Sequence, residues 1–228
     1  MAVAQSHAAK MARRNPIIIS FDGNIGAGKS TLLGHIRKSI PEWHIVDEPV
    51  DTWTSLKNDD GRNLLELFYE DKKRWSYTFQ NCAILTRLKS LKNAVATSTS
   101  DVIITERSVL TDRFVFAEML RESGDMNALE WTLYESWFKI FSNEIPIHAI
   151  IHLTTSPETS EKRIHIRNRH GEEGIPLDYL KALDLQHQKW IRETDMPVLE
   201  ISTEDGVDVD ATIEQIRTFI SGLRSVEN

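Results

Sequence analysis

"FDGNIGAGKSTLL", residues 21–33, follows the apolar run Ile17–Ile18–Ile19 and leads into a helical pattern. Gly23, Gly26 and Gly28 fall within six residues, and Lys29, Ser30 and Thr31 come next. Gly23-x-x-x-x-Gly28-Lys29-Ser30 fits the P-loop pattern without a mismatch. Glycines let the backbone turn so tightly that its N–H groups point inward. The following helix adds the positive end of its dipole, and together they make a nest for phosphate oxygens. Gly23, Asn24, Gly26, Ala27, Gly28, Lys29, Ser30 and Thr31 are therefore expected to hold a nucleoside triphosphate, ATP in the simplest case. Lys29 reaches the β- and γ-phosphates and Ser30 ligates Mg²⁺. The motif alone does not separate a switch, a motor and a kinase.

The turn sits in a repeating pattern. "IIIS" (17–20), "HIV" (44–46), "DVIIT" (101–105), "AIIHL" (149–153) and "PVLEIS" (197–202) are short and almost wholly apolar, as strands covered on both faces must be. Helical stretches lie between them at 29–39, about 63–96, 112–142, 156–168 and 176–193, with a last one near 210–225. Strands alternating with helices predict an α/β fold, a parallel sheet with helices on both faces. Much of 63–142 is expected to bundle against one side. "SLKNDDGRN" (55–63) reads as the most flexible loop.

The 228 residues hold 34 acidic against 27 basic side chains, a net charge of -7. That balance argues against non-specific nucleic-acid binding, which needs a basic surface. One cysteine, Cys82, permits no intrachain disulfide and suits a reducing compartment, the cytoplasm in the simplest reading. No apolar run approaches the length of a membrane span. Residues 1–15 carry Lys10, Arg13 and Arg14 and no acid. They read as a disordered tail, or as a short organelle-targeting segment. Residues 16–228 read as one domain.

Phosphoryl transfer needs a metal, charge neutralisation and a group that orients the nucleophile. "DEPVDTW" (47–53) follows the second strand and puts Glu48 at the strand's carboxyl end, where open α/β sheets bind ligands. A carboxylate there is either a solvated turn acid or the acceptor of a hydroxyl proton. "TERS" (105–108) ends the third strand, with Glu106 a candidate Mg²⁺ partner and Arg107 a second charge at the same edge. A structural ion pair is the plainer alternative. Arg163, Arg167 and Arg169 in "EKRIHIRNRHGEEGIP" (161–176) are either a solvated helix end or a lid that clamps phosphates. Trp53, Tyr69, Phe79 and Phe116 can line a slot for a flat ring or simply fill core. Gln80 can read a base edge through its amide, and Arg87 lies seven residues on, on the same helix face.

Taken together, "GNIGAGKST", "DEPVDTW", "LLELFYEDKKRWSYTFQ", "ERSVLTDRFVFA", "EWTLYESW" and "RNRHGEEGIPLDYL" resemble the deoxyribonucleoside kinases, the group of deoxycytidine, deoxyguanosine and insect multisubstrate kinases. The resemblance runs from about Pro16 to Trp190. It implies a parallel five-stranded P-loop kinase fold with an arginine-rich lid, and a homodimer joined through helices. By position, Glu48 matches the base for the sugar 5′-hydroxyl, Arg107 the arginine beside it, and Glu106 the metal-site acid. Tyr69 and Glu172 match the pair on the 3′-hydroxyl. Gln80 matches the base-reading glutamine. Trp53, Phe79 and Phe116 match the base-slot aromatics, and Arg163, Arg167 and Arg169 the lid arginines around ATP. Gly171 precedes Glu172 where the family often carries an acid, so a slip of one would give the sugar role to Glu173. Arg87 and Asp112 match an arginine–aspartate pair of deoxycytidine- and deoxyguanosine-type members. With the small Ala83, this implies deoxycytidine or purine deoxynucleosides as substrates, with thymidine poor.

Two rival readings remain. A monophosphate kinase needs extra arginines for its acceptor's phosphate, whereas a sugar hydroxyl needs a base such as Glu48. A non-catalytic, kinase-like subunit has no reason to keep Lys29, Ser30, Glu48 and Arg107 together. A GTPase switch is the least favoured reading, because no N-K-x-D segment appears.

Overall fold

The structure, a computed structural model, describes residues 15–168 and 174–226. Five strands form one all-parallel sheet: β1 (Ile17–Gly23), β2 (His44–Val46), β3 (Val102–Glu106), β4 (Ala149–Thr154) and β5 (Val198–Ser202), in the order β2-β3-β1-β4-β5. The expected strands and the P-loop kinase fold class are present. The central strands β1 and β3 are buried throughout, which is why their sequences read as unbroken apolar runs.

Alternation along β1 splits the core in two. Ile17, Ile19 and Phe21 face helices α1 (Lys29–Ser39) and α10 (Val209–Val226), packing on Leu33, Ile36, Ile216 and Ile220. Ile18 faces the other way with Ile103 and Ile150, toward the larger helical layer. That layer holds α2 (Val50–Ser55), α3 (Leu64–Glu70), α4 (Lys72–Thr97), α5 (Val109–Thr111), α6 (Glu118–Glu122), α7 (Ala128–Phe141), α8 (Pro157–Arg167) and α9 (Leu177–Glu193). The strand order reverses at β1, with β3 on one side and β4 on the other. The crevice beyond the carboxyl ends of β1 and β3 is where such a sheet binds ligands.

Two long helical expectations need correction. The helix expected over 63–96 is two helices. Asp71 leaves helical geometry (φ -140°, ψ 82°) and its carboxylate accepts from the Arg74 N–H, capping α4. The helix expected over 112–142 is also divided. Asp112–Ala117 winds as a π-helix between α5 and α6. Gly124 (φ 79°) then ends α6, and Asn127 with Glu130 forms the capping box that starts α7. Within the loop 55–63 a Lys57–Asn63 bridge forms and the Asn58 N–H donates to the Arg62 carbonyl at 3.0 Å. Residues 1–14, most of the expected tail, lie outside the described residues.

Candidate active site

Gly23 ends β1 at φ 141° and Gly26 follows at φ 82°. A Cβ at Gly23 would lie 2.6 Å from the Leu153 carbonyl oxygen, and one at Gly26 2.5 Å from that of Ser160. The loop is therefore wedged between β4 and α8, and only glycine fits. Gly26→Ala is expected to push the loop off α8. Unfolding should become easier by about 1–3 kcal/mol, and ATP binding should weaken at least about tenfold, both readable by thermal unfolding and calorimetric titration. Gly34→Ala, in mid-α1 with open space around it, is expected instead to stabilise by about 0.5–1 kcal/mol.

Gly26 to Thr31 line one end of a cavity of about 590 Å³. Gly23 and Asn24 are not among its lining residues. Asn24 donates to the Leu180 carbonyl at 2.9 Å and accepts from the Ile25 N–H, so it braces the loop from behind. Lys29 is buried, its Nζ 3.0 and 2.8 Å from the carbonyls of Gly23 and Asn24. Burial and the nearby Arg107 charge bring its pKa down to about 7, against the pull of Glu106, Glu48 and Asp22. Ser30 Oγ donates to both carboxylate oxygens of Glu106, at 3.0 and 3.2 Å. The two residues expected at a metal thus face each other. Among the described residues there is no cluster of three or more His, Cys, Asp or Glu suited to a metal. A hydroxyl and one carboxylate do suit Mg²⁺, which keeps several waters and takes its remaining oxygens from substrate phosphates.

Glu48 lies between two arginines. Arg87 Nη2 (2.5 Å) and Arg107 Nη1 (2.7 Å) both donate to its Oε1. Burial raises the carboxyl's pKa, but Arg107, Arg87 and Lys29 overcome this and hold it well below the usual carboxylate range. Arg107 stands in a left-handed backbone conformation (φ 58°), rare for a residue with a Cβ and costly to keep. The Thr105 hydroxyl donates to the Arg107 carbonyl at 2.9 Å, and the guanidinium lies 5.0 Å from the Phe116 ring centre.

Arg87 uses every arm of its guanidinium. Nε donates to Asp112 Oδ1 at 3.0 Å, Nη1 to the Glu106 carbonyl at 3.0 Å, and Nη2 to Glu48. Burial lifts Asp112 to about 6 despite Arg87. Its Oδ2 and the Oε1 of Gln80 are buried without a hydrogen-bond partner. Phe79 and Phe68 stack at 4.6 Å, and Trp53 meets Phe79 edge-on at 5.3 Å. Phe79, Gln80, Ala83 and Arg87 reach the same cavity from one face of α4. Tyr69 and Phe116 line it too.

Arg163 and Arg167 line the cavity too, but Arg163 donates to the Thr203 carbonyl at 2.5 Å. Arg169, Glu172 and Glu173 lie outside the described residues. Sequence reasoning missed Phe68 and Tyr179 on the aromatic side, and Thr203, Gly206, Val207 and Val209 beyond the P-loop. Phe68 and Tyr179 fall inside quoted motifs, but helical spacing does not separate cavity wall from core. The loop after β5 carries no motif.

Comparison with known proteins supports one family. The chain matches the deoxynucleoside kinase sequence family over residues 19–223. It is 34% identical to deoxycytidine kinase of Homo sapiens over 237 residues, covering 90% of this chain and 91% of that one. It is 38% identical to a probable deoxycytidine kinase of Fowlpox virus over 218 residues, 90% and 88% of the two chains. It is 32% identical to a mitochondrial deoxyguanosine kinase of Xenopus laevis over 238 residues, 90% of each.

Proposed function

This chain belongs to the deoxynucleoside kinase family and is a nucleoside kinase, and we propose that it moves the γ-phosphate of ATP to the 5′-hydroxyl of a deoxyribonucleoside. One observation carries the reading. Glu48, clamped by Arg87 and Arg107, stands where the P-loop end of the cavity meets the aromatic end. A donor on one side and an acceptor on the other would meet at that carboxylate.

In this reading the P-loop amides and Lys29 hold the donor phosphates. Mg²⁺ would be held by Ser30 and Glu106, and it supplies neutralisation of the developing charge. Glu48 stays ionised at neutral pH, so it is always free to accept the 5′-hydroxyl proton. A strongly basic carboxylate is not needed, because phosphoryl transfer passes through a loose transition state in which positioning dominates. Arg107 sits beside the hydroxyl. Tyr69 and Glu172 hold the 3′-hydroxyl, and Trp53, Phe79 and Phe116 sandwich the base. Arg163, Arg167 and Arg169 form the lid over ATP, and residues 16–228 act as one domain.

The base preference rests on Asp112 Oδ2 and Gln80 Oε1, two buried acceptors without a partner. They suit an exocyclic amino group, as in cytosine or a purine. Thymine offers its O4 acceptor there instead, and an unmade buried hydrogen bond costs about 1–3 kcal/mol. Deoxycytidine or a purine deoxynucleoside is therefore expected to exceed thymidine in kcat/KM by about tenfold or more. A leading thymidine would leave the Arg87–Asp112 pair a purely structural bridge and make the protein a thymidine-accepting kinase. Absence of transfer to any nucleoside would favour the kinase-like subunit.

We further propose a homodimer. Leu129, Leu133, Trp137 and Ile140 fall on one face of α7 and are 43–70% exposed. Spacings of four, four and three make a continuous apolar stripe, and the same stripe of a second copy covers it by two-fold symmetry. Leu133→Glu/Trp137→Glu is expected to sediment as a monomer where the parent sediments as a dimer. A parent that is monomeric at micromolar concentration would contradict this. The lone cysteine favours a reducing compartment, for which we propose the cytoplasm. No described helix is long and apolar enough to cross a membrane.

A further inference from the structure

We propose that Thr203 is a positioning residue for the donor nucleotide, its hydroxyl setting the orientation of the P-loop peptide between Ala27 and Gly28. Thr203 follows β5 and is buried. Its Oγ1 donates to the Ala27 carbonyl at 3.0 Å, with the Thr154 carbonyl a more distant alternative at 3.3 Å. The same oxygen accepts from Arg163 Nη1 at 3.2 Å. One hydroxyl thus joins the P-loop to the helix that carries two of the lid arginines.

The consequence follows from peptide geometry. In a planar trans peptide the C=O and the next N–H point in opposite directions. Anchoring the Ala27 oxygen on Thr203 therefore turns the Gly28 N–H to the other side, away from Thr203. Gly28 sits at φ 91°, in a region that only glycine visits freely, and caps the start of α1. A glycine there allows the peptide to flip. A fixed hydrogen bond on the carbonyl removes that freedom, and a phosphate nest works only when its N–H groups all point inward.

The anchor is itself held in place. The Thr203 N–H donates to the Thr154 carbonyl at 2.8 Å. The Thr203 and Glu204 carbonyls accept from Arg163 Nη2 at 2.5 and 3.3 Å. The Glu204 carboxylate closes the start of α8, accepting from the Ser156 N–H and from the hydroxyls of Thr155, Ser156 and Thr159 at 2.5–2.9 Å. Those hydrogen bonds hold its pKa at about 2. Besides its proposed place in the lid, Arg163 is a tie between α8 and this loop.

The inference rests on the P-loop being the ATP site. It does not depend on which acceptor is used. The test is calorimetric titration of the full chain with Mg²⁺-ATP for the parent, Thr203→Val and Thr203→Ser, with deoxycytidine titrated separately. Thr203→Val, equal in shape but without the hydroxyl, is expected to weaken ATP binding at least about tenfold. Thr203→Ser should stay within about threefold of the parent. Deoxycytidine affinity should be unchanged in both, which also shows that the variants are folded. ATP binding by Thr203→Val equal to the parent's would overturn the proposal. So would equal losses in Val and Ser, equal weakening of both ligands, or a parent that does not bind ATP. A parent that phosphorylates no deoxynucleoside but still shows the Val–Ser contrast would remove the acceptor assignment and leave Thr203 standing.

Discussion

Glu48→Gln is expected to lower kcat by about 10²- to 10⁴-fold, the range set by losing a positioned proton acceptor. The amide keeps the size of the side chain and one oxygen for Arg87 and Arg107, now 2.5 and 2.7 Å from Oε1. It does not take up the 5′-hydroxyl proton. Deoxynucleoside binding should survive within about tenfold, because the proposed base contacts are those of Gln80, Asp112 and the aromatic walls. Titration of the variant with deoxycytidine separates the two effects. Ordinary turnover in Glu48→Gln would remove Glu48 from the chemistry and leave it an ion-pair partner.

The second large effect concerns stability. Arg87 is the only side chain that touches both Glu48 and Asp112 in the described ion-pair network. Arg87→Met leaves Asp112 buried without its cation, while Glu48 keeps Arg107. Removing one partner of a buried pair typically costs about 3–5 kcal/mol, which for this chain length lowers Tm by about 10 °C. Arg87→Met/Asp112→Ala should recover at least half of that loss, because no unpaired anion then remains. The pH dependence has a definite sign. Asp112 already has a raised folded pKa of about 6, and losing Arg87 raises it further. A carboxyl whose pKa is higher folded than unfolded binds a proton more readily in the folded state, so stability increases as pH falls through that window. Glu48 has the opposite, depressed shift, and its pairing with Arg87 is a parental advantage that acid removes. The Glu48 change falls below its unfolded carboxylate range and so outside this window, whereas the Asp112 change falls inside it, so the deficit of Arg87→Met should shrink from pH 8 to pH 5 through Asp112 alone. A deficit that grows on acidification would contradict the pairing.

Much of the fold was legible because its signals are local. The strands β1, β3 and β4 are covered on both faces and announce themselves as apolar runs. Gly23 and Gly26 mark the turn where a side chain would strike Leu153 or Ser160, and Gly28 supplies the positive φ that follows. The breaks at Asp71 and at Gly124–Asn127 were missed although the caps are written in the sequence. Asp71, an N-cap residue type, and Asn127 three before Glu130, a capping-box spacing, are signals that a continuous apolar pattern obscured. The π-turn over Asp112–Ala117 has no composition signal, yet it is the segment that carries Asp112 and Phe116 to the cavity.

The candidate site divides the same way. Residues in contiguous motifs, such as Lys29 with Ser30 and Glu106 with Arg107, could be grouped from spacing. That Arg87 joins Glu48 to Asp112 could not, because the three come from a loop, a helix and a π-turn up to 64 positions apart. Arg163 read as a solvated helix end or a lid arginine, and its engagement by Thr203 and Glu204 depends on how β5 ends beside β4.

The most direct measurement is transfer from γ-labelled ATP with Mg²⁺ to deoxycytidine and, separately, to deoxycytidine 5′-monophosphate, with the products resolved by chromatography. The labelled product is expected to be the 5′-monophosphate, formed from the nucleoside, with negligible transfer to the monophosphate. Labelled diphosphate formed from the monophosphate, with the nucleoside inert, would contradict Glu48 as the group that receives a sugar hydroxyl.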